Sequence, residues 1–209
     1  MSEEQILDAV RRQVRIRLSG QGAGHGFDHI HRVVVAARQI HADVGGNLFV
    51  IELAALLHDI GDAKFNDGVE RSGEFSREIL GQLDLSDAVI DEVVHIVDNL
   101  SFRKRETADA LSLEGQIVQD ADRLDALGAI GIVRTIEYGA VKGQPFYDAS
   151  DPEGPSGVKH FDDKLFRLRE LMNTEVGRRL AAQREEFMRT FLNEFFGEYG
   201  LQREASAND

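Results

Sequence analysis

Two histidines and a run of aspartates are the residues of this chain whose types and spacing can do chemistry. His58-Asp59 closes the most apolar stretch of the sequence, residues 48–57. A histidine and a carboxylate carried inward on such a helix must be compensated, because burying an unpaired charge is costly. A divalent metal ion is one compensation; the other is a helix C-terminus that favours His58 while Asp59 turns to solvent. His29 shares a helical stripe with Val33, Ala36 and Ile40 and so faces a core, whereas His31 points away. In Asp120-Ala121-Asp122-Arg123-Leu124-Asp125, Asp122 shares a stripe with Ala126, Ala129 and Val133, and Asp125 shares one with Ala129, Ile132 and Ile136. Spacing alone does not choose between these two aspartates. Two histidines with two carboxylates suit a hard or borderline divalent ion such as Mn, Fe, Co, Ni, Zn or Mg, and not a soft one.

The elements that must position these groups read as helices, since apolar spacing follows the helical period and sustained alternation is hard to find. The fold class is all-α. Ser2 and Gln5 form a capping box ahead of the stripe Leu7, Val10, Val14 and Leu18, and Gly20 stops that helix. Residues 20–26 form a Gly-rich connector that lacks the Gly-Lys-Ser/Thr ending of a phosphate-binding loop. The helix over about 48–60 is apolar on nearly every side, as a central buried helix should be. Further helices are expected over about 73–83, 86–98 and 115–138. Residues 139–159 hold Pro145, Pro152 and Pro155 and read as a long loop, followed by helices over about 161–173 and 175–197. The last carries Leu180, Phe187, Met188, Phe191, Leu192, Phe195 and Phe196, a stripe suited to a core or a homodimer interface. The whole reads as one domain over 1–209, with a core at about 25–138, the loop 139–159 and C-terminal helices at 160–198.

Composition narrows the partners. With 24 Lys plus Arg against 37 Asp plus Glu, the net charge of −13 repels a long nucleic acid, whose binding depends on counterion release by basic side chains. A small phosphorylated molecule is still admissible, because a bound cation or a few placed basic residues can neutralise one phosphate. The absence of cysteine removes thiolate nucleophiles and disulfides. No apolar stretch is long enough to span a bilayer, and the expected location is a reducing cytoplasm.

His29, then His58-Asp59, then Asp122, in the order H…HD…D, resembles the HD-domain phosphohydrolases, an all-α metal-dependent superfamily. His25-Gly26-Phe27-Asp28-His29 followed by Arg32-Val33 is similar to the opening motif of a small bacterial branch. So are Leu57-His58-Asp59-Ile60, Ser101-Phe102, residues 117–131, His160-Phe161 and Lys164-Leu165. Gly26 departs from the acid usual in that branch, without touching a ligand position. The resemblance implies an HD bundle with a C-terminal helical extension, one divalent metal ion, and Asp122 rather than Asp125 as its fourth ligand. It further implies that Asp62, one turn beyond Asp59, is a catalytic acid or base, and that the segment of His95 lies beside the pocket.

The implied reaction is hydrolysis of a phosphate ester or pyrophosphate bond in a small phosphorylated substrate, most simply a nucleotide, by a metal-activated water. Substrate contacts are then expected from Arg32, Lys64, His95, His160 and Lys164, while Asp67 reads as part of a solvated loop. His95 is the one histidine between the HD pair and Asp122, which favours a mononuclear hydrolase over two-metal relatives such as di-iron oxygenases. The alternatives are hydrolysis of an alarmone such as ppGpp and a non-catalytic regulatory module; the intact ligand set speaks against the module.

Overall fold

In the computed structural model, residues 1–19, 26–63, 66, 68–100 and 109–201 are described. Among them are nine α-helices, one 3-10 helix and no strand. The chain divides into two compact units, Met1–Asp122 and Arg123–Asp209. No helix among the described residues is long and apolar enough to cross a membrane.

The first unit is organised around α3, Leu48–Leu57, which packs against α1 (Glu3–Arg17), α2 (Phe27–Val44) and α5 (Asp87–Asn99). Every residue of α3 except Leu48 is buried. The Asn47 side chain starts the helix by accepting from the N–H groups of Phe49 and Val50. Its one acidic residue, Glu52, is buried and accepts from Arg38 Nε at 2.6 Å and Nη2 at 2.9 Å. That two-pronged pairing answers the desolvation of a carboxylate in the centre of a bundle and raises the pKa of Arg38. The helix α4, Ser72–Leu80, packs on α5 and α1. The capping box of Ser2 and Gln5 is present on α1, whose buried stripe is Ile6, Val10 and Val14, with Leu18 beyond it. Ile6 thus takes the place expected of Leu7. The helix α3 also stops three residues short of the expected Ile60, at Leu57, with His58 as its C-cap.

The expected single helix over 115–138 is two helices. The first, α6, runs Leu113–Asp125; the second, α7, runs Gly128–Lys142. Gly128 has φ +74°, a left-handed value that breaks the helix and that only glycine adopts cheaply. Stripes drawn from Asp122 or Asp125 into α7 therefore fail, and Val133 and Ile136 are exposed at 50% and 45%. The helix α7 also continues four residues past the expected end at 138, which shortens the following loop to 143–156 with all three prolines inside it.

Within the second unit, the expected helix over 161–173 is α8, Gly157–Asp163, followed by a 3-10 helix, Leu165–Leu171. The long α9, Glu175–Glu198, packs on α7 and the 3-10 helix. Phe191, Phe195 and Phe196 make ring contacts with Phe146 or Tyr147 of the proline loop. These rings are employed inside the chain, whereas Phe187 is exposed.

Candidate metal centre

Three elements of the first unit bring the donors together. His29 is in the first turn of α2, where its N–H bonds to Gly26 O at 3.0 Å, and it lies among the buried residues Ile30, Val33 and Val34. His31 is exposed, as expected. His58 is at the end of α3, with Asp59 in the turn beyond. Asp122 is in the last turn of α6, on the helix whose Ile117, Val118, Ala121 and Leu124 are buried.

His29 Nε2 lies 3.2 Å from His58 Nε2, 3.6 Å from Asp59 Oδ2 and 3.4 Å from Asp122 Oδ1. His58 Nε2 is 3.8 Å from oxygens of both Asp59 and Asp122. The histidine side chains are 3% and 4% exposed, whereas the Asp122 side chain is 42% exposed. The centre therefore has a buried nitrogen wall and a carboxylate that meets solvent. Among the described residues, His29, His58 and Asp59 form a group whose donor atoms all lie within 4.8 Å of one another, close enough to share one ion.

A hydrogen bond decides the tautomer of His58. Its Nδ1 lies 2.9 Å from the Ala55 carbonyl oxygen, and a carbonyl only accepts, so Nδ1 carries the proton. In the neutral ring, Nε2 then presents a lone pair to His29 Nε2 and to two carboxylates. Such a meeting of lone pairs and anions calls for a shared cation or proton. Donors held about 2.1 Å from one ion at right angles stand about 3 Å apart, so separations of 3.2–3.8 Å fit a common ion. Nitrogen with carboxylate oxygen, and no sulfur, matches Mn, Fe, Co, Ni, Zn or Mg.

Asp125, the other candidate aspartate, is only 3% exposed and pairs with Arg134. The guanidinium of Arg184 reaches the Leu124 carbonyl, and burial pushes its pKa down while Asp125 draws it up. Asp125 is thus neutralised by arginine, three residues from an aspartate that faces histidines.

Asp62 is half-buried just past the HD pair, its N–H on Asp59 O at 3.3 Å and its carbonyl accepting from Asn66 Nδ2 at 3.0 Å. Arg32 is half-buried one turn along α2 from His29. His95, on α5, faces Ala110 O through Nε2 at 3.1 Å and Asn99 Nδ2 through Nδ1 at 3.5 Å, so both ring nitrogens meet this chain's own groups. His160 and Lys164 lie in the second unit, on α8 and at its C-cap. Partial burial, then the Lys164 charge, lowers the pKa of His160, with Asp163 opposing. Lys64, Asp67, His25, Ser101 and Phe102, together with Gly20, Gly22 and Gly24, fall outside the described residues.

Sequence reasoning missed Asp120, which is wholly buried, and Ser72 and Ser76, at 1% and 0% exposed. For Asp120 a signal existed: it is three residues past Ile117 and four before Leu124, both fully buried.

Comparison with known proteins gives the family. The family model for the HD domain matches residues 26–127, a span that contains His29, His58, Asp59 and Asp122. The uncharacterized protein YpgQ of Bacillus subtilis strain 168 is 37% identical over 196 residues, which is 93% of this chain and 94% of the relative. The crystal structure of YpgQ in complex with ADP superposes with a TM-score of 0.80 at 35% identity, covering 95% of this chain and 97% of that one. A crystal structure of an HD-superfamily hydrolase from Bacillus thuringiensis gives a TM-score of 0.82 at 36% identity, covering 96% and 100%.

Proposed function

This chain belongs to the HD-domain family, and on that premise we propose that it is a metal-dependent phosphohydrolase acting on a small phosphorylated substrate, most simply a nucleotide. The observation that carries this reading is the approach of His29 Nε2 and His58 Nε2 to 3.2 Å, with oxygens of Asp59 and Asp122 within 3.8 Å of them. His29, His58, Asp59 and Asp122 would hold one divalent ion. When bound, such an ion polarises a phosphoryl oxygen and lowers the pKa of a water.

The chain's own residues do the rest. The Ala55 carbonyl holds His58 in the tautomer whose Nε2 is free to donate a lone pair. The exposed side of Asp122 leaves the centre open to a substrate from solvent. Asp62, which follows Asp59 in the same turn, takes or returns the proton at its carboxylate. Arg32 and Lys64 supply positive charge for the phosphate, and His95, His160 and Lys164 are assigned further contacts with substrate. The net charge of −13 restricts the substrate to something smaller than a nucleic acid. ADP in the YpgQ crystal structure supports a nucleotide, cleaved at an ester or a pyrophosphate bond.

The test is release of phosphate and of pyrophosphate from nucleoside mono-, di- and triphosphates, by metal-stripped protein resupplied with single ions. Metal-dependent release that Asp62→Asn reduces through kcat while metal stays bound is the expected outcome. No release from any nucleotide with any ion would overturn the reading.

A further inference from the structure

The turn that carries Asp59 and Asp62 leaves the end of α3, where helical hydrogen bonding no longer holds it. It is nonetheless pinned. The Gly61 N–H donates to Ser72 Oγ at 3.1 Å, and the Arg71 N–H donates back to Gly61 O at 2.9 Å. Glu70 spans the same gap: one carboxylate oxygen accepts from the Ser72 N–H at 3.0 Å and the other from the Ala63 N–H at 3.3 Å. Three hydrogen bonds therefore join residues 61–63 to residues 70–72, seven to eleven residues apart, and the bond from the Ser72 N–H holds the Glu70 carboxylate in place for its share. The fit leaves no slack, since a Cβ at Gly61 would stand 2.6 Å from the backbone of Arg71 and Ser72. Ser72 is 1% exposed, so its hydroxyl works in a dry setting where a lost partner is not replaced by water.

We propose that Ser72 and Glu70 are positioning residues for the metal centre, latching the turn of Asp59 and Asp62 to the first turn of α4. This rests on the metal reading above. A ligand in a turn is only as well placed as its backbone, and partners behind a ligand typically change metal affinity 10- to 100-fold. Asp59 sits two residues from the latch and Asp62 lies inside it. Ser72 touches neither donor atoms nor substrate and acts through Gly61.

Ser76 supplies the control. It is 0% exposed on the same helix, and its hydroxyl donates to Ser72 O at 2.7 Å, away from the turn. A merely structural serine would behave like it. The experiment measures Mn(II) dissociation constants on metal-stripped protein by electron paramagnetic resonance, together with thermal midpoints, for wild type, Ser72→Ala, Ser72→Thr, Ser76→Ala and Glu70→Gln. We expect Ser72→Ala to weaken Mn(II) binding about 10-fold or more, Ser72→Thr to recover most of it, and Ser76→Ala to lower the midpoint without changing affinity. Should Ser72→Ala not fold, Glu70→Gln, at an exposed position, carries the same test through its lost acceptor. Wild-type affinity in folded Ser72→Ala, or in folded Glu70→Gln where the serine variant fails, overturns the latch while leaving the centre standing. An equal loss in Ser76→Ala also overturns it. If wild type binds no Mn(II), the metal reading and the latch fall together.

Discussion

Two kinds of acid occupy this molecule, buried ones at Glu52 and Asp125 and part-exposed ones at Asp59 and Asp122, and they are placed among opposite neighbours. Around Glu52 and Asp125 the compensation is an arginine from the chain itself: Arg38 forks onto Glu52, and Arg134 pairs with Asp125. Around His29 and His58 the neighbours are more donor atoms, nitrogens and carboxylate oxygens facing one another within 3.8 Å. An arginine pair is finished when the chain folds. A convergence of nitrogens and carboxylate oxygens can instead share a cation from outside, and this difference separates an acid paired for structure from one placed for chemistry. Asp122 and Asp125 make the contrast within four residues of sequence.

The largest effect is expected at Asp59. Asp59→Ala should cut phosphohydrolase turnover about 1000-fold or more while shifting the thermal midpoint of metal-free protein by no more than a few degrees, measured by product release and calorimetry. Removing an acid of the other kind should do the reverse. Asp125→Ala removes the carboxylate paired with Arg134 and facing Arg184 and should cost about 2–3 kcal/mol of stability, read from urea unfolding, with metal stoichiometry unchanged. Arg38→Ala leaves Glu52 buried without its fork and should cost about 2 kcal/mol, more than Glu52→Gln, which keeps a neutral acceptor.

The smallest effect is expected in the second unit, at a histidine whose neighbour is a lysine. The pKa of His160 is lowered from its ordinary 6.5 by partial burial and by Lys164. Below 6.5 the unfolded chain therefore binds the proton more readily than the folded one, so stability is full above that pH and declines as pH falls through the depressed value. A thermal midpoint that drops between pH 7 and pH 5.5, and drops less in His160→Asn, is the expected result.

Most of the helices were legible because each carries its period in a continuous apolar stripe, α9 being matched to within one residue. The break at Gly128 was not, since a glycine inside an apolar helical pattern reads as a tolerated defect until its left-handed φ is known. That break is also why the stripes drawn for Asp122 and Asp125 misled: Asp122 is partly exposed, and its place beside His29 comes from tertiary packing. His29 was legible as an inward-facing group from local pattern, whereas His58 was open to an inward and a helix-capping reading, and it is both buried and the C-cap of α3. Asp120 carries an inward pattern, set between the buried Ile117 and Leu124. Ser72 and Glu70 had none, because their partners at Gly61 and Ala63 are set by the path of the loop and not by helical spacing.

The central claim is that His29, His58, Asp59 and Asp122 hold one divalent ion. It is tested most directly by titrating metal-stripped protein with Mn(II) and counting bound ions by electron paramagnetic resonance. One equivalent in wild type and in Asp125→Ala, with none retained at the same concentrations by His58→Ala or Asp122→Ala in folded protein, is the predicted result. No bound ion in wild type, or a full equivalent in folded His58→Ala, would contradict the account.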